Sequence, residues 1–300
     1  MLLFISFGSF SQDYKNIHKI FTNVYYADSL YKTGNYETAV KYYKKAINED
    51  YIKSIIFYNL SECYYYLNDT IESVKYYTRA IKSNWVYLDT SYITNNEINI
   101  FLNEKLSNEY IDLLYKNCEN YNKLSANINE QLRQKFLYRK ELDQQFRGRA
   151  SSDSIWAIQK KNDVDNQKFL DSVINVYGYW TGIDLIGEDG ATAAFLFAQH
   201  ADDDVKFQKK CLTLMKKGLK NRNINPQHYA MLVDRIMLKT CGFQLFGSQC
   251  IVKDNKYIAR PLYDAKIVNT LRKHFNMSPL ENYLENMTKS FININIKNEK

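Results

Sequence analysis

Two eight-residue segments of the chain are identical at six positions, and they lie 34 residues apart. Residues 40–47 read VKYYKKAI, and residues 74–81 read VKYYTRAI. A fixed period of this length is typical of proteins built from stacked helical hairpins, in which each repeat buries its apolar face against its neighbours. The duplication therefore predicts that the N-terminal part of the chain consists of helices joined by short turns.

The residues around the duplicated segment follow the same period. Gly34 and Asn68 stand where the first helix of each hairpin must end, and both residue types tolerate the left-handed conformation of a helix C-cap. Ala39 and Ser73 are small where the two helices of a hairpin approach each other. Residues 20–84 resemble the tetratricopeptide repeat family in period and in this small/large pattern, although the closing Pro of that family is absent. The resemblance implies four helices and a groove that binds a protein or peptide partner.

Two such repeats seldom bury enough surface to be stable, so we expect a third, degenerate repeat or capping helices across residues 85–122. The sequence thus predicts a signal-peptide remnant at 1–11, a tetratricopeptide-like array with capping helices at 12–122, and a helical domain at 123–290. A short array of this kind can also serve only as a spacer, which is the alternative to partner binding.

The first eleven residues, MLLFISFGSFS, are apolar and end with small residues at Ser9 and Ser11. This pattern is typical of the end of a secretory signal, but the basic residues that usually precede the apolar run are missing. We therefore expect an extracytoplasmic protein, periplasmic or secreted, and a cytoplasmic protein with an apolar tail is the alternative. The run is shorter than the roughly 20 residues that span a bilayer, and no later segment qualifies.

Charge and cysteine content narrow the classes of function. The net charge of +7 is scattered among 33 acidic residues, whereas nucleic-acid-binding proteins concentrate basic residues in one patch. The five cysteines form no C-x-x-C pair, which argues against a thiolate zinc site. Cys241 and Cys250 could form a disulfide in an oxidising compartment, but burial as small apolar residues is favoured. We predict no nucleic-acid partner, no membrane span and no cofactor, since phosphate loops, dinucleotide fingerprints and zincin motifs are absent from the sequence.

The second half of the chain reads as a series of helices. Apolar spacing predicts one helix over 124–147 and another that ends near Tyr177. Asn225 followed by Pro226 is an N-cap with Pro at the first helical position. Residues 249–260 alternate as a small hairpin. The predicted fold class is therefore mainly α, with tetratricopeptide-type hairpins followed by a helical domain that carries one small β-hairpin.

Polar residues of this second half follow one another in a recognisable order. They are Asp143, Gln144, Arg147, His200, Asp202, Asp234, Arg235, Gln244, Gln249 and Arg272. In this order they resemble an uncharacterised bacterial domain family, domain-of-unknown-function family 6624, over roughly residues 128–286. The family's Tyr-Gly-Thr-Gln element stands here as Phe246-Gly247-Ser248-Gln249, and its Gly-Trp-Pro turn as Gly178-Tyr179-Trp180. The family carries no established activity, so the resemblance implies an architecture and candidate residues but no reaction.

His200 is the sharpest candidate for catalysis, because imidazole is the side chain that titrates nearest to neutral pH and suits general acid–base work. We expect Asp234 to orient His200 or to stabilise charge, and Arg147 or Arg235 to hold a small anionic ligand. Structural alternatives exist for both candidates. His200 at a helix C-terminus interacts favourably with the helix dipole, and Asp234 is equally suited to a structural ion pair.

The other candidates are assigned to ligand binding. They are Asp143, Gln144, Arg147, Asp202, Arg235, Gln244, Gln249 and Arg272. For the two glutamines, capping of backbone groups is the alternative to ligand binding. We predict no metal site, because His200 and Asp204 would share a helix face only if the helix continued between them.

These patterns favour a secreted or periplasmic interaction protein, in which the array binds a peptide or protein and the second domain binds a ligand. The competing hypothesis is a hydrolase-type enzyme with His200 as its general acid/base. A third class, an immunity or stress-related accessory protein, is compatible with the same sequence. Convergence of these ionisable and amide side chains within one concave pocket would favour the enzyme hypothesis, whereas their dispersal, or their locking in pairs without a cavity, would favour a structural role; the residues are Asp143, Arg147, His200, Asp234 and Gln249.

Overall fold

The structure, a computed structural model, describes residues 7–47, 54–83, 127–147 and 152–298. The chain divides into two compact units, Met1–Lys123 and Leu124–Lys300. Within the described ranges, no helix is both long and apolar enough to cross a membrane. The third repeat or capping helices predicted for 85–122 lie outside the described residues, as do residues 1–6 of the predicted signal.

Four helices make up the described part of the first unit. They are α1 (Phe7–Lys32), α2 (Tyr36–Ile47), α3 (Ser54–Tyr66) and α4 (Thr70–Ser83). Each hairpin turns at a residue with positive φ, Gly34 at 76° and Asn68 at 61°. Because the left-handed region is open to Gly and Asn, these residues end α1 and α3 as the sequence predicts. Helices that are neighbours in sequence pack on each other, so the predicted pair of hairpins is present.

Equivalent positions of the two hairpins have the same structural role. Ala39 and Ser73 are fully buried where the paired helices meet, and Tyr43 and Tyr77 are buried beside them. The hydroxyl of Ser73 donates to the backbone carbonyl of Ser61 over 2.9 Å. A small residue at this position therefore lets the two helix backbones approach closely, and the larger tyrosine fills the space beside it.

The second unit contains seven helices and one two-stranded sheet among the described residues. They are α5 (Glu130–Gln144), α6 (Asp153–Tyr177), α7 (Ile183–His200), α8 (Val205–Asn221), α9 (Pro226–Cys241), β1 (Cys250–Lys253), β2 (Lys256–Ala259), α10 (Val268–His274) and α11 (Leu280–Asn298). Helix α7 contacts α5, α6, α8 and α9. Its alanines, among them Ala193, Ala194 and Ala198, are fully buried and let neighbouring helices come close. The predicted mainly α fold is confirmed.

Local signals in the sequence set several element boundaries. The Asn225 side chain accepts a hydrogen bond from the Gln227 N–H over 2.9 Å, and Pro226 begins α9. The predicted hairpin is present, with β1 and β2 antiparallel and both turn residues, Asp254 and Asn255, at positive φ. Two positive φ values in a two-residue loop are typical of a turn whose twist matches the strands.

The described cysteines carry free thiols. They are Cys63, Cys211, Cys241 and Cys250. The disulfide considered for Cys241 and Cys250 is thus not formed. Cys211 is fully buried in the second unit, which agrees with the role of a small apolar residue.

Candidate functional site

Three helices converge where α5 and α7 end. Phe136 of α5 lies 5.6 Å from Phe197 of α7 and 4.9 Å from Phe169 of α6, measured between ring centroids. Asp143 follows Phe136 by two helical turns, and His200 follows Phe197 by one. The aromatic packing therefore brings the last turns of α5 and α7 together and places their polar side chains in contact.

Asp143 is the centre of a hydrogen-bond network and is fully buried. Its carboxylate accepts hydrogen bonds from Arg147 Nε over 3.1 Å and Nη2 over 3.0 Å, and from Gln144 Nε2 over 2.5 Å. The Nδ1 atom of His200 lies 3.0 Å from the same carboxylate. Burial by itself raises the pKa of Asp143, but the hydrogen bonds from His200 and Arg147 outweigh it and hold that pKa well below its usual range.

Arg147, in the turn after α5, joins two carboxylates. Its Nη2 group donates to Asp143 and also to Asp163 of α6. Gln159, one turn before Asp163, donates from Nε2 to Asp163 Oδ1 and to the backbone carbonyl of Asp143, each over 3.1 Å. Burial raises the pKa of Asp163, although Arg147 and Gln159 oppose that shift. Asp163 of α6 thus holds the guanidinium together with Asp143, and Gln159 holds Asp163 in place.

The imidazole of His200 has one anchored and one open nitrogen. An ionised carboxylate can only accept, so the atom facing Asp143 is Nδ1–H and the unprotonated nitrogen of the neutral ring is Nε2. Among the described residues Nε2 has no hydrogen-bond partner, and 8% of the His200 side chain is exposed. A fixed tautomer with an open Nε2 is suited to proton transfer.

The spacing of this cluster also resembles a set of metal ligands. Asp143, Asp163 and His200 each offer one ligand atom within 4.8 Å of the others. However, the guanidinium of Arg147 already bridges the two carboxylates and supplies positive charge there. Asp204, the other partner considered for His200, caps α8 by accepting from the Phe207 N–H over 2.9 Å. The geometry therefore favours an acid–base cluster over a cation site.

A second ion pair lies just after His200 in sequence. Asp202 accepts from Arg235 Nε over 2.7 Å and from Nη2 over 2.5 Å. Arg235 Nη1 also donates to Gln249 Oε1 over 3.3 Å. The pKa of Asp202 is lowered, because burial, which raises it, is outweighed by Arg235 and by the nearby charge of His200. This partly exposed pair, with Gln249, therefore forms the rim of the site near the imidazole.

Asp234 does not orient His200, contrary to the prediction. Its buried carboxylate accepts from the backbone N–H groups of Leu245 and Ser248 over 2.8 Å and of Phe246 over 2.9 Å. Both carboxylate oxygens are thus used to hold residues 244–249, and the orienting position beside His200 belongs to Asp143. A buried loop needs acceptors for its N–H groups, which explains a carboxylate in the α9 core.

Gln244 and Arg272, predicted to bind ligand, hold the same loop. Gln244 is fully buried, donating from Nε2 to Gln249 O over 2.8 Å and accepting from Gln249 N–H over 2.9 Å. Arg272, 1% exposed, donates to Phe246 O over 2.7 Å and Ser278 O over 2.6 Å. For Gln244 the backbone-capping alternative is therefore correct, and neither side chain is open to a ligand.

The structure thus divides the predicted residues into three groups. Asp143, Gln144, Arg147 and His200 form the cluster; Asp202, Arg235 and Gln249 form the rim; and Asp234, Gln244 and Arg272 hold the loop. Sequence reasoning missed Asp163 and Gln159. Both follow the spacing of the buried stripe of α6, which continues to Asn166 and Leu170. Polar residues at the helical spacing that leads to the apolar residues Leu170, Val173 and Ile174 were the available signal.

Comparison with known proteins adds one finding. The model of a family described only as a family of unknown function (DUF6624) matches residues 131–296, which include all three groups. No curated protein matches the chain, and no solved structure does.

Proposed function

The chain belongs to the DUF6624 family of unknown function, whose model covers more than half of it, and we propose that this family domain is a hydrolase-type enzyme with His200 as its general acid/base. In this proposal Asp143 orients the ring and stabilises its protonated form. The single observation that supports it is the geometry of the imidazole, with Nδ1 bound to a buried carboxylate and Nε2 without a hydrogen-bond partner among the described residues.

The chemistry follows from the two nitrogens. Nε2 of the neutral ring takes a proton from water as the water oxygen bonds to the phosphoryl or acyl centre of an ester substrate. The resulting imidazolium returns the proton to the leaving oxygen as the bond between that oxygen and the centre breaks. Asp143 stabilises the imidazolium through the Nδ1–H hydrogen bond, in the way that a buried aspartate supports histidine in hydrolytic triads. No step requires a metal or an organic cofactor.

Two partly exposed guanidinium groups near the imidazole offer hydrogen-bond donors to a small anionic substrate. Arg147 and Arg235 each keep about a quarter of the side chain exposed, at 26% and 27%. Each already binds a carboxylate, so an anionic group of a substrate would share its remaining N–H donors. Gln249 beside Arg235 offers an amide that can bind the same group.

The test is a turnover screen on the full chain with p-nitrophenyl phosphate, phosphodiester and acetate substrates. We expect His200→Ala to abolish turnover and Asp143→Asn to lower it by about 10²–10⁴-fold. His18→Ala removes an imidazole from the first unit and serves as the matched control. Diethyl pyrocarbonate, which acylates accessible imidazoles, should label His200 in the wild-type protein. Turnover by His200→Ala equal to that of the His18→Ala control would eliminate this function.

The first unit supports a second role, binding of an extended peptide by tetratricopeptide-type hairpins. The hairpins repeat with the period of that family, and they expose large aromatic side chains, Tyr26 on α1 and Tyr66 on α3. Tyr66 stacks on Tyr36 at 4.6 Å between centroids, which holds it at the surface at little entropic cost. A peptide array probed with the full chain tests this role. Binding that survives Tyr26→Ala and Tyr66→Ala together would rule out these tyrosines as contacts.

We further propose that the protein is located outside the cytoplasm. It is supported by the apolar N-terminal run, of which residues 7–11 are the start of α1. Fractionation of cells that produce the C-terminally tagged chain should place it outside the cytoplasm. Recovery in the cytoplasmic fraction with an intact N-terminus would contradict it.

A further inference from the structure

The charges around His200 are unequal in number. Asp143 and Asp163 supply two carboxylates, whereas Arg147 supplies one guanidinium shared between them. With both carboxylates ionised, this triad has one excess negative charge in a partly desolvated place. The imidazolium form of His200, whose Nδ1 contacts Asp143, carries the positive charge that would balance this excess.

The other charged groups near His200 balance one another. Asp202, after α7, is paired with Arg235 of α9 through two hydrogen bonds. Lys239 of α9 binds the backbone carbonyl of Asp202 and is solvent-exposed, so water and salt screen its charge. The excess charge that faces the ring therefore comes from the Asp143–Arg147–Asp163 triad.

The excess negative charge of this group depends on the carboxylate of Asp163. If Asp143 and Arg147 were alone, their charges would cancel and the carboxylate would stabilise an imidazolium only weakly. Because Arg147 Nη2 also binds Asp163, its charge is divided and Asp143 keeps a net negative potential toward Nδ1. Gln159 fixes this arrangement, since its amide joins Asp163 to the backbone of Asp143.

We propose that Asp163 is a positioning residue for the His200 site. Asp163 holds Arg147 and supplies the negative charge that balances the protonated imidazole. The proposal rests on the proposed function, in which His200 exchanges a proton. It predicts opposite effects for the two partners of one ion pair: removal of Asp163 favours the neutral ring, and removal of Arg147 favours the protonated ring.

The test is a titration of the ¹⁵N-labelled histidine rings in the full chain by NMR, with His200→Ala identifying the His200 signals. Asp163→Asn should move the midpoint of the His200 titration down by about one pH unit, and Arg147→Met should move it up by a similar amount. Asp165→Asn, an exposed carboxylate on the same helix, is the matched control and should cause little change. Asp163→Glu should restore most of the wild-type midpoint.

Opposite shifts of the midpoint would support the charge-balancing role, because general loosening of the fold moves both variants in one direction. An Asp163→Asn midpoint equal to that of Asp165→Asn would overturn it. If Asp163→Asn does not fold, Arg147→Met carries the test, and the absence of an upward shift overturns the proposal. The titration requires no turnover, so failure of the hydrolase function is seen separately in the substrate screen.

Discussion

Two aspartates of the second unit are fully buried, yet the pKa values of their carboxyl groups move in opposite directions. Burial raises the pKa of both. For Asp143 the hydrogen bonds from His200 and Arg147 outweigh burial, and the pKa falls well below its usual range. For Asp234 only backbone N–H groups and a hydroxyl oppose burial, and the pKa rises to about 6. The charge of the hydrogen-bond donors thus decides which buried carboxyl stays ionised.

Substitution of Asp143 should destabilise the fold in a pH-dependent way. Asp143→Asn removes the negative charge and one of the two acceptor oxygens that bind Arg147 and His200, so we expect a loss of about 2–4 kcal/mol in the free energy of unfolding near neutral pH. Because the folded pKa is depressed, this stabilisation is complete above the unfolded pKa of about 4 and is lost as pH falls below it. Urea unfolding of wild type and variant should therefore converge in acid. Glu141→Gln, an exposed change on α5, is the control.

Asp234→Asn should loosen residues 244–249 without touching the His200 cluster. An amide can accept through only one oxygen, so at least one of the three N–H groups loses its acceptor, at a cost of about 1–3 kcal/mol. Native-state hydrogen exchange should accelerate at Leu245, Phe246 and Ser248. Since burial raises the folded pKa to about 6, the wild type also loses stability as pH rises from about 4 to 6, and the variant should lack this slope. Unchanged exchange at all three amides would refute the holding role.

At the scale of elements, the helical backbone of α7 is interrupted at one residue, and the composition of the helix does not predict this interruption. Gly187 has φ 71° and ψ 173°, a conformation essentially restricted to glycine, so the first turn of α7 is set apart from the remainder. That first turn is tied to the start of α5, because Leu185 O accepts from the Asn129 N–H over 2.8 Å. The break therefore lets one helix meet both ends of α5.

This geometry predicts different tolerance at two glycines. Gly178, the C-cap of α6, has φ 75° and ψ 2°, which asparagine adopts at little cost. Gly187→Asn should therefore cost about 1–3 kcal/mol more in unfolding free energy than Gly178→Asn. Thermal and urea unfolding of the two variants measure the difference. Equal costs would mean that the backbone of α7 adapts at residue 187.

At the scale of the molecule, the two units have separate cores. Phe21, Val24 and Leu60 are fully buried in the first unit, whereas Phe136 and Phe197 are fully buried in the second. A unit with its own apolar core can fold by itself. We therefore expect a fragment of residues 124–300 to unfold cooperatively and to react with diethyl pyrocarbonate at His200 as the full chain does. A fragment that lacks a cooperative transition would show that the second unit depends on the first.

The sequence alone determined the local features of this protein. Its 34-residue period, the Gly34 and Asn68 turns and the Asn225-Pro226 helix start each depend on neighbouring residues, so their patterns can be read directly. The hairpin at residues 250–259 belongs to the same class. These signals were sufficient for the mainly α fold class, for the helix ends at Gly34, Asn68 and Tyr177, and for the helix start at Pro226. The helix predicted to begin at residue 124 begins at Glu130.

The tertiary structure decided which polar residues meet, because side chains far apart in sequence carry no signal of their distance in space. Residues 143 and 200 meet because Phe136 packs on Phe197, and Asp163 joins them from a third helix. The contacts of α9 with residues 244–249 buried Asp234 against a loop, whereas Asp143 faces the imidazole. Chemical type identified His200, whereas only the arrangement of α5, α6 and α7 assigned its partner.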